Sequence, residues 1–221
     1  MNENKERNLI LLGAAGAGKG TQSQKMATRL NIPQISTGDM LRQARRDQTP
    51  LGKSADGYMT RGELVPDELV IGLVEERLQK PDAGPGFILD GFPRTLEQAR
   101  ALDTLLKKLG RAPLQVVDVQ VPEALLVERL SGRLSCPKDG ASYHLKFAPP
   151  KTPGHCDRCQ GALTERADDK PDAVKQRLVE YRNKTAPLID YYHQQRLLHP
   201  VDGVGEVEAV FSRITQALQL S

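Results

Sequence analysis

The sequence predicts an α/β protein in which helices flank a parallel sheet. Short apolar runs alternate with longer amphipathic stretches, which is the pattern of parallel strands joined by helical crossovers. A glycine-rich turn joins the first apolar run to the first amphipathic stretch. Residues 132–168 depart from this rhythm, because they are rich in Gly and Pro and have little helical periodicity. We expect them to form a small inserted domain of turns and short strands.

The individual elements follow from the same periodicity. Four apolar runs are predicted to be buried strands: 8–13, 86–90, 114–121 and 197–202. Six amphipathic stretches are predicted to be helices: 18–30, 67–80, 96–109, 122–130, 171–192 and 204–220. In the helix over 67–80, one apolar face is expected to join the core, formed by Leu69, Val70, Leu73, Val74 and Leu78.

Composition limits the class of protein and of partner. The chain has 221 residues, of which 38% are hydrophobic and 27% charged, and this suits one globular unit with inserted subdomains. The net charge of +3 is small, and the sequence has no concentrated basic stripe of the kind that nucleic-acid binders carry. We therefore expect small phosphorylated molecules as partners, and no nucleic acid.

The first residues superficially resemble a secretory leader. Lys5 and Arg7 precede the apolar run 9–18, but Glu3 and Glu6 offset their charge. No run approaches the roughly 18 apolar residues that a membrane helix needs. We expect a cytoplasmic protein without a membrane partner. In that reducing compartment, clustered cysteines indicate a metal site before a disulfide.

The segment GAAGAGKGT, residues 13–21, has the strand, loop and helix context of a phosphate-binding loop. Its glycines allow successive backbone N–H groups to point inward, and the helix that begins there adds its positive end. Lys19 supplies a mobile charge that can follow a phosphoryl group. The strict pattern has Ser or Thr directly after Lys, whereas Gly20 stands here before Thr21. The alternative is a flexible Gly/Ala turn.

With its GKGT variant of the loop, the chain resembles the adenylate kinases, in the long-lid form typical of bacteria. The resemblance continues in order over nearly the whole chain, at STGDMLR (36–42), LDGFPRT (89–95), GR (132–133), YHLKFAPPK (143–151), ADD (167–169) and RLVEYRNKTAPLIDYY (177–192). It implies a P-loop kinase core made of residues 1–35, 67–131 and 170–221. It also implies a helical AMP-binding subdomain over 36–66 and an inserted lid over 132–169, which we call the insert.

The resemblance implies reversible, Mg²⁺-dependent phosphoryl transfer from ATP to AMP, giving two ADP, by a monomer. Two polyanions must meet in such a reaction, and guanidinium forks suit phosphate because they bind its oxygens in pairs and stay protonated. Arg42 and Arg94 would clamp the acceptor phosphate, while Arg129, Arg133, Arg166 and Arg177 would close on the donor phosphates. Each arginine taken alone is more often a surface residue or an ion-pair partner.

The full set of expected site residues follows from the same resemblance. The expected catalytic residues are Lys19, Arg94, Arg133, Arg166 and Arg177. The expected ATP-binding residues are Gly13, Ala14, Gly16, Ala17, Gly18, Lys19, Gly20, Thr21, Arg129, Arg133 and Tyr143. The expected AMP-binding residues are Thr37, Arg42, Val65, Gly91, Arg94, Gln98, Arg166 and Arg177.

Base recognition is expected from three of these residues. Thr37 resembles the residue that helps adenylate kinases to distinguish adenine, where pyrimidine-monophosphate kinases usually carry alanine. Gln98 can offer a donor and an acceptor to an adenine edge, which favours AMP as acceptor. On the donor side, the resemblance places Arg129 against the adenine of ATP.

Four carboxylates are candidates for supporting roles. Asp90 ends a predicted strand, so it can orient the water shell of Mg²⁺, with Asp39 assisting in the same way. Alternatively, Asp90 caps the turn after the strand. Asp168 and Asp169 precede the helical run at Pro171, so they suit helix capping, and the resemblance also associates them with lid closure.

All three cysteines lie in the insert. Cys136 and Asp139 form a C-x-x-D pair, and after a gap of sixteen residues Cys156 and Cys159 form C-x-x-C, a spacing that fits a zinc ribbon. We predict Asp139 as the fourth ligand; His144, His155 and the absence of any metal are the alternatives. Iron and cobalt also accept such a site.

The proposed ion is structural. An insert of fewer than forty residues buries too little apolar surface to hold itself together, and a metal would supply the rigidity. Four protein ligands leave no open position for a catalytic water. Tyr143 and Phe147 are expected to pack the small core of the insert, although the resemblance also includes Tyr143 in the ATP site.

Two rival functions remain from the sequence. One is a nucleic-acid-dependent P-loop ATPase with a zinc-ribbon binding module, since Lys146 and Lys151 lie in the insert. Against it, the insert has little aromatic surface for stacking bases and no long basic run. The other is a kinase that prefers UMP, CMP or GMP, and Thr37, Gln98 and the long lid argue against it.

Overall fold

The computed structural model describes residues 6–220, so Glu3 and Lys5, used in the leader argument, lie outside the described residues. It contains a five-stranded parallel sheet with strand order β2-β3-β1-β4-β7 and a separate antiparallel pair, β5 and β6. The strands are β1 (Arg7–Leu12), β2 (Gln34–Ser36), β3 (Gly86–Asp90), β4 (Leu114–Gln120), β5 (Arg133–Ser135), β6 (Ser142–His144) and β7 (Leu198–Asp202). The predicted α/β class with a parallel sheet is confirmed.

Helices cover both faces of the parallel sheet. They are α1 (Lys19–Leu30), α2 (Thr37–Arg46), α3 (Pro50–Arg61), α4 (Asp67–Leu78), α5 (Leu96–Lys108), α6 (Glu123–Ser131), α7 (Pro171–Glu180), α8 (Pro187–Gln194) and α9 (Val207–Ala217). Two 3₁₀ turns lie at Pro81–Ala83 and Ala167–Asp169, and a π-helical turn spans Tyr181–Thr185.

The core forms two apolar layers, one on each face of the sheet. Along β1, Ile10 and Leu12 join one layer while Leu9 and Leu11 join the other, because successive side chains of a strand alternate. The first layer packs on α4, α5 and α8, and the second on α1, α6, α7 and α9. Burial on both faces explains why these strands read as continuous apolar runs.

Two expectations about individual elements are wrong, and one strand was not predicted. The helix predicted over 171–192 is interrupted by the π-helical turn, because Pro187 has no N–H to continue the α-helical ladder. In α4, Leu69 is 38% exposed, whereas Val70, Val74 and Leu78 are buried. The layer therefore contacts a narrower face of α4 than the periodicity suggested. Periodicity also missed β2, which contributes only three residues, QIS, at the edge of the sheet.

Helices α2 and α3 form a hairpin over one side of the sheet edge, and both begin at side-chain caps. The Ser36 hydroxyl accepts a hydrogen bond from the Asp39 N–H at the start of α2. The Thr49 hydroxyl accepts one from the Gly52 N–H at the start of α3, with Pro50 in the first helical position. Polar caps thus set where both helices begin, and the apolar periodicity did not predict either helix.

The insert is built on paired turns. In the first, the Cys136 N–H donates to Ala141 O (2.8 Å) and the Gly140 N–H donates to Cys136 O (3.0 Å). The second repeats this pattern around Cys156, with Gly161 and Gln160 in the equivalent places. Where the chain enters and leaves the insert, Ser135 and Thr164 exchange two backbone hydrogen bonds of 2.8 and 2.9 Å.

Candidate active site

The phosphate-binding loop leaves β1 and wraps over the carboxyl end of the sheet, where open α/β folds bind their ligands. Gly13 (φ 137°) and Gly16 (φ 86°) adopt backbone conformations that L side chains rarely take. A Cβ atom would stand 2.7 Å from Val119 O at Gly13 and 2.8 Å from Leu126 O at Gly16. Glycine is therefore needed at both positions, which argues against a merely flexible turn.

Lys19 begins α1 and reaches back over this loop. Its Nζ donates to Gly13 O (2.7 Å) and Ala14 O (2.9 Å). Burial lowers the pKa of Lys19 to about 8, although the nearby carboxylate of Asp90 acts in the opposite direction. The lysine is thus a cation held in a poorly solvated place by carbonyl oxygens alone, and a phosphate oxygen would be a stronger partner.

A cleft of about 1190 Å³ opens above the carboxyl ends of the strands. The loop, the start of α2, the segment after β3 and the insert all contribute to its walls. Of the residues predicted to bind nucleotide, only Gly13 and Ala14 are absent from the lining: Gly13 borders a small adjoining cavity and Ala14 is buried. The structure thus brings the predicted residues together around one space.

Two arginines of the cleft share a pair of carboxylates. Arg133 Nε donates to Asp169 Oδ2 (2.7 Å), and Arg177 Nη1 donates to Asp169 Oδ1 (2.9 Å) and lies 3.1 Å from Asp168 Oδ2. Burial raises the pKa of Asp168, but the charges of Arg177 and its neighbours bring it below the ordinary value. The expectation that Asp168 and Asp169 cap the next helix is wrong, because Lys170 occupies the cap position of α7 without a side-chain bond.

The two predicted magnesium-orienting carboxylates differ in their surroundings. Asp39 accepts hydrogen bonds from Arg42 through Nη2 (2.6 Å) and Nε (3.2 Å). Asp90 accepts one from Gln34 Nε2 (3.2 Å) and faces the start of α1, with Oδ2 3.4 Å from a Cβ built at Gly20. Asp90 therefore adjoins the phosphate-binding loop, while Asp39 is engaged by an arginine.

Arg94 and Arg166 have no carboxylate partner within 4 Å among residues 6–220. Arg94 Nε donates to Gly91 O (2.8 Å), and Arg166 Nε donates to Ser135 Oγ (2.7 Å). Burial lowers the pKa of Arg94 to about 10 and that of Arg166 to about 9, and neighbouring arginines act in the same direction. Buried cations without counter-ions indicate a site built for an anionic ligand.

Arg129 stands at the opposite end of the cleft from α2. Its Nη2 donates to Gly203 O (3.2 Å), in the turn that follows β7. Burial lowers the pKa of this guanidinium. The arginine and the turn over 203–207 form one wall of the cleft, and periodicity had not identified the turn as part of the site.

Two buried polar residues surround the segment after β3. Thr37 Oγ1 donates to Gly91 O (2.9 Å). Gln98 Oε1 accepts from the Arg94 N–H (2.7 Å), and its Nε2 donates to Asp67 Oδ1 (2.7 Å). Because an amide has two donor hydrogens and two acceptor lone pairs, one of each remains on Gln98 for a ligand. Its bond to Arg94 is a second role that the sequence did not suggest.

The predicted metal ligands form a compact cluster in the insert. One ligand atom each from Cys136, Asp139, Cys156 and Cys159 lies within 4.8 Å of the others. Cys136 Sγ is 3.4 Å from Cys159 Sγ, and Cys156 Sγ is 3.2 Å from Asp139 Oδ2. Tetrahedral zinc with Zn–S near 2.3 Å separates its sulfur ligands by about 3.8 Å, so this donor set fits a metal ion.

The two histidine alternatives lie outside this cluster. His144 Nδ1 accepts from the Lys146 N–H (3.0 Å), and its Nε2 faces Glu128 O (3.2 Å). His155 Nδ1 is 3.1 Å from Pro153 O. Their ring nitrogens are thus used elsewhere, which favours Asp139 as the fourth ligand.

The aromatic residues of the insert have different roles. Tyr143 packs on the cysteine cluster, its hydroxyl 3.4 Å from Cys156 Sγ, and it also borders the cleft. Phe147 is 42% exposed and stacks on the His144 ring, with centroids 4.6 Å apart. The expectation that Phe147 packs the core of the insert is therefore wrong.

Two exposed side chains of the insert also make polar contacts with helices of the core. Arg158 Nη2, in the turn between two cysteines, donates to Gln24 Oε1 of α1 (2.9 Å). Lys146 Nζ donates to Glu128 Oε1 of α6 (2.6 Å). Neither contact carries a sequence signal, because each joins exposed residues more than fifteen positions apart.

Across residues 6–220, no helix combines the length and the apolar character that crossing a membrane requires.

Comparisons with known proteins agree over nearly the whole chain. Residues 11–197 match the family model described as adenylate kinase. The chain is 53% identical over 212 residues to the adenylate kinase of Archaeoglobus fulgidus, covering 96% of this chain and 98% of the relative. It is 53% identical over 211 residues to the adenylate kinase of Syntrophobacter fumaroxidans (96% and 99%) and 50% identical over 212 residues to that of Enterococcus faecalis (96% and 98%).

Proposed function

The chain belongs to the adenylate kinase family of phosphotransferases, and on that premise we propose that it transfers a phosphoryl group reversibly from ATP to AMP, giving two ADP. One observation of the site carries the proposal most strongly. Arg94 and Arg166, two buried arginines without a carboxylate partner in the described part of the chain, line the same cleft as Lys19 and its phosphate-binding loop. Such a site favours a pair of polyanions over any neutral ligand.

The residues of the cleft would offset the negative charge of two nucleotides. Two nucleotides must approach each other while water is excluded, and the transferred group needs electrostatic stabilisation more than covalent help. In our proposal Arg42 and Arg94 hold the acceptor phosphate. Lys19 exchanges its carbonyl partners in the loop for the transferring phosphoryl group.

The donor phosphates are held from the other side. Arg133, Arg166 and Arg177 close on them as the insert moves over the cleft, and Arg129 packs against the adenine of ATP. Arg133 and Arg177 already lie on the shared carboxylate of Asp169, which keeps them oriented before phosphate replaces it. Arg166 and Arg177 also contribute to the acceptor side.

Magnesium bound with ATP would neutralise phosphate charge. Asp90 is placed beside the phosphate-binding loop, so its carboxylate suits the orientation of the ion's water shell. Asp39 would take part only after its hydrogen bonds from Arg42 are exchanged. We therefore assign Asp90 the main role.

AMP is the proposed acceptor. Thr37 and Gln98 border the cleft beside Gly91 and Val65, and Gln98 retains one free donor and one free acceptor for the adenine edge. These four residues lie on the side of the cleft next to α2.

We assign a structural metal to Cys136, Asp139, Cys156 and Cys159, with zinc as the first choice and iron or cobalt as alternatives. All four positions are filled by protein, so the ion would hold the paired turns of the insert together and take no part in transfer. We also propose a cytoplasmic monomer, and the clustering of the cysteines at metal-ligand spacing suits a reducing compartment.

The test is a stoichiometric assay of purified protein with ATP, AMP and Mg²⁺. We expect two ADP for each AMP consumed, no turnover after chelation of Mg²⁺, and much lower rates with UMP, CMP or GMP. ATP hydrolysis that needs no AMP and rises on addition of nucleic acid would instead establish the rival ATPase. A preference for another monophosphate would reassign the roles of Thr37 and Gln98.

A further inference from the structure

Arg94 is held at three points, two by nearby residues of its own segment and one by a residue remote in sequence. Its N–H donates to Gln98 Oε1 (2.7 Å), and its Nε donates to Gly91 O (2.8 Å). The third contact is to its carbonyl oxygen, which accepts a hydrogen bond from Thr185 Oγ1 (2.9 Å). Thr185 follows Arg94 by 91 residues and is buried.

Thr185 reaches Arg94 from the π-helical turn between α7 and α8. The Ala186 N–H donates to Tyr181 O (2.8 Å), five residues back, so this turn contains one residue more than an α-helical turn. Pro187 follows directly, and its ring and missing N–H are incompatible with a continuous α-helix at this point. Since each helical residue rotates by about 100°, the additional residue decides which side chain faces Arg94.

Arg94 needs such support because burial and nearby arginines disfavour its charge, which Asp90 and Asp168 offset only in part. The guanidinium is buried, has no carboxylate within 4 Å among residues 6–220, and lies near the positive charges of Arg177 and Arg42. Thr185 does not border the main cleft. It lines a cavity of about 60 Å³ behind it, together with Arg94 and Arg177.

We propose that Thr185 is a positioning residue for the acceptor phosphate: the π-helical turn brings its hydroxyl to the Arg94 carbonyl and thereby fixes the Arg94 guanidinium in the cleft. This inference rests on the proposed function, in which Arg94 binds AMP. It predicts a loss mainly on the acceptor side, since among residues 6–220 the hydrogen bond of the Thr185 hydroxyl goes to Arg94 O and to no residue assigned to ATP.

The test compares Thr185→Val, which keeps shape and removes the hydroxyl, with Thr185→Ser, which keeps the hydroxyl. Thr104→Val is the matched control, because Thr104 bonds only to Arg100 O on the exposed face of α5. For Thr185→Val we expect kcat/KM for AMP to fall by about three- to tenfold, with KM for ATP unchanged. A factor of this size corresponds to the net free energy of one hydrogen bond. AMP binding measured by calorimetry without ATP should weaken by a similar factor, and Thr185→Ser should restore both values.

Equal losses for AMP and ATP, or a lower Tm with unchanged AMP kinetics, would show that Thr185 is merely structural. If Thr185→Val does not fold, Thr185→Ala removes the same hydrogen bond without adding a methyl group, and the same comparison applies. Failure of the proposed function is distinguishable, because then the unaltered protein would bind no AMP and convert none.

Discussion

Among residues 6–220, Arg94 and Arg166 are buried cations without an ion pair to a carboxylate, and more distant carboxylates offset the cost of burial only in part. For Arg94, the shift of the pKa from 12.5 to about 10 corresponds to roughly 3 kcal/mol of destabilisation of the folded, unliganded protein at neutral pH. On the proposed function, the same charge becomes favourable once a phosphate is bound. Binding and stability are therefore opposed at these residues.

This opposition leads to a prediction for Arg94→Met. Removing the charge should raise Tm while lowering kcat/KM for AMP by at least about 100-fold, since a charged donor to phosphate is lost. Thermal unfolding and steady-state kinetics measure the two effects. Arg77→Met is the matched control, because Arg77 is paired with Asp82 (2.6 Å) outside the cleft and its removal should lower Tm. An Arg94→Met protein less stable than the unaltered one would contradict the argument.

Lys19 provides a second prediction at the same scale. Its pKa of about 8 in the unliganded protein means that the charge is present at pH 7 and is lost as the pH rises through 8. We expect kcat/KM for ATP to decline above about pH 8. The decline in kcat should begin at higher pH, since bound phosphate stabilises the charged lysine. In Lys19→Arg the decline near pH 8 should disappear even if the rate is low; its persistence would assign it to another group.

The sequence motifs predicted which residues lie in the site, but not which carboxylates the arginines of the site pair with. The glycines, Lys19 and the arginines stand in recognisable segments, and the structure places them around one cleft. The pairing of Arg133 and Arg177 with one shared carboxylate, Asp169, was not predictable. It depends on how separate elements pack, and nothing in the spacing along the chain distinguishes a paired arginine from an unpaired one.

At the scale of elements, the insert shows how little apolar material can support a defined fold. Its buried hydrophobic cluster contains only Cys136, Ala141 and Cys156, with Tyr143 and Leu163 packed against it. Two of these five residues are predicted metal ligands. The stability of the insert should therefore depend on the metal far more than that of the core does.

The prediction is that the purified protein contains about one zinc per chain and that chelation lowers its Tm. Asp139→Ala should bind the metal more weakly and show a lower Tm before chelation, as measured by elemental analysis and thermal unfolding. His144→Ala and His155→Ala are the controls, and both should keep their metal. Retention by Asp139→Ala with loss from either histidine variant would reassign the fourth ligand.

The elements also show what periodicity can and cannot detect. The strand predicted over 86–90 is found with the same bounds, because a strand buried on both faces is one continuous apolar run. Helix α2 (TGDMLRQARR) has two buried residues, Thr37 and Leu41, so it lacks the repeated apolar positions from which the other helices were predicted. The π-helical turn had only one signal, Pro187, inside an otherwise regular pattern.

At the scale of the whole molecule, the insert lies close enough to the core to contact it on both sides of the cleft. Arg158 reaches α1 through Gln24, and Lys146 reaches α6 through Glu128. Arg158 stands between Cys156 and Cys159, so the turn that carries it belongs to the proposed metal site. Its contact with α1 would thus be made by a rigid part of the insert.

We expect Arg158→Ala to raise KM for ATP by about two- to fourfold, because the insert loses its hydrogen bond to Gln24 of α1. A factor of this size corresponds to the free energy of one exposed polar contact. KM for AMP should change less, since the contact lies on the α1 side. Lys151→Ala is the control: its side chain makes no hydrogen bond or ion pair among the described residues. The effect of Arg158→Ala should vanish in a Gln24→Ala background, and additive effects would refute a direct contact.

The paired backbone of Ser135 and Thr164 has a consequence for the history of such enzymes. The residues between them form a loop whose ends are joined by these two backbone hydrogen bonds. Doubling the length of a loop costs only about 0.6 kcal/mol in closure entropy. Arg133 and Arg166 stand just outside that junction, on the side of the core. Mutation and selection can therefore change the interior of the loop, exchanging the proposed metal ligands for other stabilising chemistry, while the two arginines continue to face the cleft.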